Sequence, residues 1–218
     1  MEFNSKTVYL TVTLIGLVSM MGDIVYEGGR GAVPSYLQLL GASAFIVGLV
    51  SGLGDFVGYA LRLVSGYLSD KSRAYWQFMF IGYGLIIAIP MLSITSFWPF
   101  AALLVVLERL GKAVRAPARD TIVSIVSKGV GVGKAFGLHE LMDQIGAVMG
   151  PLIVSAILYF TSNNYTITFA ALFIPYTILL ITLSYVYFKV RGKVLENIGH
   201  ETGGGSKSFS KDFYIYSL

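Results

Sequence analysis

The sequence predicts an all-α polytopic membrane protein with six transmembrane helices, and three observations carry that reading. First, the 218 residues are 55% hydrophobic and only 13% charged, where a soluble domain averages about 25% charged. Mean hydropathy is +0.71. Second, six apolar runs approach the ~20 residues needed to cross a hydrocarbon core, near 8–28, 43–65, 77–95, 98–116, 137–160 and 167–188. They are continuous rather than alternating, which excludes a barrel of short strands. Third, charge is unevenly shared among the runs. The first holds Asp23 and Glu27, the second Asp55 and Arg62, the fourth Glu108 and Arg109, the fifth Glu140 and Asp143; the third and sixth hold none. A charge at bilayer depth is costly and normally faces a water-filled cavity or a partner. Four helices should therefore border a polar path, and the two uncharged ones should face lipid.

The first run is longer than the apolar region of a signal peptide and contains Asp23, so it reads as a retained helix. Asp23 and Glu27 are four residues apart and share one helix face. Two close carboxylates in a low-dielectric cavity repel, which suits a group that takes up and releases protons. The second run is crowded with Gly48, Gly52, Gly54 and Gly58, which allow close helix approach. The third contains Pro90, tolerated where neighbouring groups satisfy the freed backbone.

The fourth run ends in ERLGKAVRAPARD. Glu108 and Arg109 are adjacent, so they point about 100° apart and are not expected to pair face to face. Arg115 and Arg119 share a face and read first as topology anchors. On the fifth run, Gly146 and Gly150 form a GxxxG step followed by Pro151. Asp143 is a further candidate for the polar path, with a packing bond to Arg62, Arg109 or a backbone group as the plainer role. His139 lacks a partner at metal-ligand spacing and reads as a snorkelling or capping residue, so no metal site is expected.

Lys71 and Arg73 lie between runs two and three; Arg115, Arg119, Lys128 and Lys134 lie at or between the ends of runs four and five; Lys189, Arg191, Lys193, Lys207 and Lys211 follow run six. The opposite side has only Arg30. This asymmetry predicts both termini in the cytoplasm of a cell-membrane protein. It leaves no basic soluble face for nucleic acid. The absence of cysteine excludes disulfides and thiolate chemistry. No HExxH, GxSxG or paired-Asp motif lies within a run, which argues against an enzyme, and no cofactor is implied.

Runs one to three are charged, charged and uncharged, and so are runs four to six, a pattern that fits a three-plus-three inverted repeat. The bundle is expected over 1–195. A Gly/Ser-containing cytoplasmic linker is expected over 196–210, and 211–218 (KDFYIYSL) reads as the start of a seventh span.

The loop GYLSDKSRAYW after run two suits a salt-bridge latch whose breaking could gate a conformational change. Its Gly66, Asp70 and Lys71 resemble the loop motif G-x-x-x-D-[RK]-x-G-[RK]-[RK] of the major facilitator superfamily; Arg73 stands where that motif has its second glycine. Arg109 resembles the arginine of that family's fourth-helix motif, with Gly111 earlier than the family spacing. Gly146, Gly150 and Pro151 match the G-x-x-x-G-P of its fifth-helix antiporter motif, with Val154 and Ser155 in place of trailing glycines. Asp23, Glu27 and Pro34 are similar to the D-x-x-x-E and following proline of drug-efflux-like bacterial and archaeal members.

The resemblance implies one six-helix half of a transporter that works by alternating access. Helices one and four would line the cavity, two and five would meet a second six-helix half, and three and six would support them. Asp23, Glu27, Glu108, Arg109 and Asp143 would serve proton coupling or the substrate cavity. The expected partners are the bilayer, protons, a second half and a small substrate, amphipathic or cationic, exported by antiport. The alternative is a half-transporter fragment or assembly partner that transports nothing without that second half.

Overall fold

A computed structural model describes residues 5–127 and 130–201. Its elements in chain order are α1 (Ser5–Leu39), α2 (Ala44–Ser72), α3 (Tyr75–Gly84) with 3₁₀ turns at Leu85–Ala88 and Pro90–Ile94, α4 (Trp98–Ser127), α5 (Val132–Phe160), α6 (Tyr165–Ala171) and α7 (Phe173–Glu201). α3 with its 3₁₀ turns forms one span, Tyr75–Ile94, and α6 with the first part of α7 forms another, Tyr165–Gly192. Among the described residues five helical segments are long and apolar enough to cross a membrane. α4 has 30 residues but carries Glu108, Arg109, Lys112, Arg115 and Arg119 along its length.

Each irregularity has a local cause. Pro90 has no N–H to offer the Ile86 carbonyl, and the third span tightens to 3₁₀ geometry around it. Pro175 likewise cannot bond the Ala171 carbonyl, and the sixth span breaks at Leu172. Ser43 caps α2 by accepting from the Ile46 N–H at 3.3 Å, and Asn164 caps α6 by accepting from Ile167 N–H at 3.0 Å. α2 ends with Arg73 in the left-handed region, at φ 54°.

The helices outrun the expected spans, mostly at the end that holds the α2–α3 and α4–α5 connections. α2 continues to Ser72 and α4 to Ser127, so the loop motif from Gly66 to Lys71 is helical rather than a tight turn. α7 continues to Glu201, into the region expected as linker. Lys128, the rest of the expected linker and the expected start of a seventh span lie outside the described residues.

α1 sits at the centre, packed chiefly against α5 and α7, while α4 packs chiefly against α2 and α3. The uncharged spans do present exposed apolar side chains, such as Ile81, Ile174 and Ile181, but they also pack more heavily within the bundle than two of the charged ones. Half of the most apolar stretch of the third span is buried against its neighbours, against 17% in α2 and in α5. The apolar side chains of α3 and α7 back α4 and α1, among them Met79, Tyr83, Ile86, Leu179 and Leu183. α2 and α5 instead turn one face to polar groups and leave the other uncovered, with Leu53, Phe56, Leu63, Val148 and Leu152 exposed.

Glycines set the α1–α5 crossing. A Cβ added at Gly150 would lie 2.8 Å from the Ile24 carbonyl oxygen, and one at Gly146 would run into the Met20 backbone. Gly146 and Gly150 of the fifth-helix motif therefore act as backbone-to-backbone spacers, the plainer of the two readings of that step. α3 and α4 meet in the same manner, where a Cβ on Gly111 would lie 2.8 Å from the Gly82 carbonyl oxygen.

Candidate functional site

Two cavities lie among the helices: a smaller one between α1, α2, α4 and the third span, where Val33, Ile89 and Val105 join the polar groups and apolar surface predominates, and a larger polar one bordered also by α5. The smaller, about 220 Å³, lies towards the α1–α2 connection and is lined by Tyr26, Arg30 and Pro34 of α1, Ser51 and Asp55 of α2, and Glu108 and Arg109 of α4. The larger, about 380 Å³, lies towards the α4–α5 connection. It is lined by Ser19 and Asp23 of α1, Tyr59 and Arg62 of α2, Tyr83 of α3, Lys112, Arg115, Arg119 and Asp120 of α4, and Glu140, Asp143 and Gln144 of α5. A space of about 10 Å³ between them touches Tyr26, Asp55, Tyr59, Arg62, Arg109 and Lys112. That is room for one water at most.

Alternating charges line the route. Arg30 meets Asp55 at 3.0 Å, Asp55 meets Arg109 at 3.3 Å, Arg109 meets Glu108 at 3.8 Å, and Glu108 meets Arg115 at 3.6 Å. Lys112 joins through Glu27 at 3.5 Å, and Glu27 lies 3.9 Å from Arg30. Arg109 also donates to the Tyr26 hydroxyl. Lys112 stands 3.7 Å from the centre of the Tyr26 ring, which places a cation on an aromatic face at the waist between the cavities. Glu108 is 1% exposed and Arg109 6%. Burial at that level is sustained only by such pairing.

A second network surrounds Ser19. Its hydroxyl lies 2.9 Å from the Tyr83 hydroxyl and 3.0 Å from His139 Nε2, and it accepts from Arg119 at 3.1 Å. Arg119 also reaches Asp120 at 3.0 Å and Asp143 at 3.6 Å. One hydroxyl thus ties together α1, α3, α4 and α5.

Several sequence expectations change here. Asp23 and Glu27 divide between two neighbourhoods: Glu27 pairs with Lys112 and Arg30, while Asp23 lines the larger cavity with Asp143. Asp23 makes no ion pair among the described residues. Glu108 and Arg109 do meet, because the long arginine side chain folds back over its neighbour. Arg115 and Arg119, read as topology anchors, turn inward: Arg115 is 3% exposed, and both line the larger cavity. His139 is 2% exposed and bonded to Ser19, rather than snorkelling or capping. Asp143 takes Arg119 as its partner, not Arg62 or Arg109.

In the loop motif, Gly66 faces Pro117 of α4, where a Cβ would meet the proline ring at 3.5 Å. Lys71 sits over the Tyr67 ring at 5.7 Å. Asp70 and Lys71 lie in the last turn of α2, and Arg73, at the position where the motif has its second glycine, adopts the left-handed conformation that favours glycine.

The sequence reading missed Ser19, Tyr26, Tyr83 and Lys112. A signal for three of them was present. Ser19 precedes Asp23 by four residues, Tyr26 follows it by three and Lys112 follows Glu108 by four, so each shares a face with its neighbour. Nothing in the spacing marks Tyr83 among 14 tyrosines.

The description "Major Facilitator Superfamily" belongs to the family model that matches residues 9–215. The chain is 42% identical over 165 residues to uncharacterized proteins of Mycobacterium tuberculosis and Mycobacterium bovis, covering 75% of this chain and 40% of each relative. It is 32% identical over 148 residues to an uncharacterized MFS-type transporter of Methanocaldococcus jannaschii, covering 67% of this chain and 37% of that protein. The chain thus spans about 40% of the length of the curated relatives it matches.

Proposed function

The chain belongs to the Major Facilitator Superfamily, and from that membership we propose that it forms one six-helix half of a secondary transporter that exports a small molecule by proton-coupled alternating access. The all-helical, multi-pass membrane architecture is common ground with the family. The observation that carries the proposal is the charged route along α1, α2, α4 and α5. Buried ion pairs are poor stabilisers compared with apolar packing. Glu108, Arg109 and Arg115, the buried members of a chain of seven linked charged side chains, therefore argue for a functional use.

In this reading Asp23 carries the coupled proton, with Asp143 beside it in the same cavity and Arg119 holding Asp143. Arg109 and Glu108 couple the two cavities, because Arg109 contacts α1, α2 and its own helix at once. Glu27 holds Lys112 at the waist. The α2–α3 segment with Gly66, Asp70, Lys71 and Arg73 acts as the latch between conformations. The protein sits in the cell membrane with both termini cytoplasmic.

Helix pairing supports a three-plus-three inverted repeat. Exchanging the first three spans with the last three turns the α1–α5 pair into α4–α2, and the α3–α4 pair into the sixth span on α1; both members of each set are major contacts. The uncovered apolar faces of α2 and α5 suit the seating of a second six-helix half. They also favour the alternative that the chain alone transports nothing until that half is supplied. Proton flux in proteoliposomes under an imposed pH gradient tests the proposal, comparing the protein with Asp23→Asn. Substrate-linked proton movement is expected to be lost in the variant; movement unchanged by it removes Asp23 as the coupling group.

A further inference from the structure

The two cavities approach each other without joining, and one side chain stands on their boundary. Tyr26 lines the smaller cavity and the waist of about 10 Å³, but not the larger cavity. It is 3% exposed. The waist is built by α1, α2 and α4, with Asp55, Gly58, Tyr59 and Arg62 from α2 and Arg109 and Lys112 from α4.

The phenol is held from two helices. Its hydroxyl accepts from Arg30 at 3.3 Å, one turn further along α1, and from Arg109 of α4. The Arg109 guanidinium also stands 4.9 Å from the ring centre, and the Lys112 ammonium 3.7 Å. Hydrogen bonds from charged donors are stronger than neutral ones, and a cation holds to a ring face more firmly once desolvated. Each of these cations has its own acid: Arg30 and Arg109 share Asp55, and Lys112 pairs with Glu27. Behind Arg109, α2 presents glycines. A Cβ on Gly54 would lie 3.3 Å from Arg109 Cγ, and one on Gly58 would lie 3.5 Å from the Arg109 carbonyl oxygen. The arginine stem therefore lies close against the α2 backbone, with little room to swing away from the ring.

We propose that Tyr26 is the divider of the route, a positioning residue whose ring seals the waist against any solute larger than a water. A phenol ring occupies several times the ~30 Å³ share of one water, so its removal joins the cavities. With the ring in place, a molecule in either cavity returns by the way it entered. It passes only when Tyr26 moves and Arg109 and Lys112 release it. The seal is a property of the bundle and does not depend on which group carries a coupled proton.

The chain has no cysteine, which allows one reporter per cavity. Ser51→Cys reports on the smaller cavity and Ala116→Cys on the larger. The full chain carrying either reporter is treated with the impermeant reagent sulfonatoethyl methanethiosulfonate in right-side-out and in inverted membrane vesicles. Each cysteine is expected to react from one face only, and the two from opposite faces. Tyr26→Ala is expected to raise labelling from the far face at least tenfold for both reporters. Tyr26→Phe, which keeps the ring and loses the hydroxyl, is expected to stay one-sided. Tyr26→Leu carries the same test where the alanine protein does not accumulate, with far-face labelling raised above that of Tyr26→Phe. Gly150→Ala disturbs the contact of α1 with α5, a helix that contributes nothing to the waist, and is expected to stay one-sided. Opening by Gly150→Ala as well would mean that any loosening of the bundle suffices, and overturns the inference. So do two-sided labelling of the parent, a Tyr26→Phe protein as open as Tyr26→Ala, and one-sided labelling that survives both Tyr26→Ala and Tyr26→Leu. A seal unbroken by Tyr26→Ala while Asp23→Asn abolishes coupling overturns this inference alone. A seal broken by Tyr26→Ala while Asp23→Asn leaves coupling intact overturns the proton assignment alone.

Discussion

Gly150→Ala should destabilise the bundle, although the same change at Gly137 of α5 should not. The new Cβ would lie 2.8 Å from the Ile24 carbonyl oxygen, 2.9 Å from the Gly28 nitrogen and 3.1 Å from the Asp23 carbonyl oxygen. All three are backbone atoms, so no side chain can rotate away, and α1 and α5 have to separate. In a bilayer this seam is held by close packing rather than by exclusion of water. A gap of roughly half an ångström forfeits about a quarter of each dispersion contact along it. Overpacking of this kind costs about 1–3 kcal/mol. Gly137 lies on the same helix with nothing within 4 Å of its added Cβ. There alanine gains helix propensity, up to about 1 kcal/mol. The assay is unfolding in mixed micelles of increasing dodecyl sulfate, followed by far-ultraviolet circular dichroism. Gly150→Ala is expected to unfold at a lower detergent fraction than the parent, and Gly137→Ala at an equal or higher one. A Gly150→Ala protein as resistant as Gly137→Ala would show that the two helices do not cross in backbone contact.

Substitutions at two further positions bear on the same framework. Arg73→Gly should raise the unfolding midpoint by the equivalent of about 1 kcal/mol, since φ 54° suits glycine, while Arg73→Val should lower it, because β-branched residues resist that region. Glu108→Ala should cost about 3–5 kcal/mol by leaving Arg109 and Arg115 short of their buried counter-charge, with Glu108→Gln intermediate; equal stability of all three forms in the same micelle titration would refute the pairing.

The all-helical, multi-pass architecture and most helix starts were legible, because a run of apolar residues is a local property of the chain. What each charge would do was less legible. Asp23 and Glu27 share a helix face, yet the residues that separate them are Lys112 on α4 and Asp143 on α5, over 80 positions away. The positive-inside pattern was also ambiguous. It made anchors of Arg115 and Arg119, whose carbon stems sit deep enough in α4 to turn inward towards Glu108 and Asp143. How burial is shared among the spans was hidden for a related reason. An uncharged helix in a small bundle can serve as packing material behind a charged one, and a charged helix can hide its polar stripe and expose the rest of its circumference.

Spacing nonetheless contains more of the site than pairwise reading extracts. Ser19, Asp23, Tyr26 and Arg30 on α1 follow intervals of four, three and four. The same intervals recur in Ser51, Asp55, Gly58 and Arg62 on α2, in Glu108, Lys112, Arg115 and Arg119 on α4, and in His139, Asp143, Gly146 and Gly150 on α5. On a helix of 3.6 residues per turn these intervals trace one face over three turns. Four faces of this kind, brought around a common axis by the α1–α5 and α2–α4 crossings, are sufficient to generate both cavities and the waist between them. Where the stripe meets a helix crossing it switches from charge to glycine, as at Gly58 against Arg109 and Gly150 against Ile24. The polar route and the packing seams are therefore written on the same residue positions. A substitution on any one of these stripes is expected to disturb stability and ligand response together, whereas one on the uncovered faces of α2 and α5 should leave both unchanged in the isolated chain.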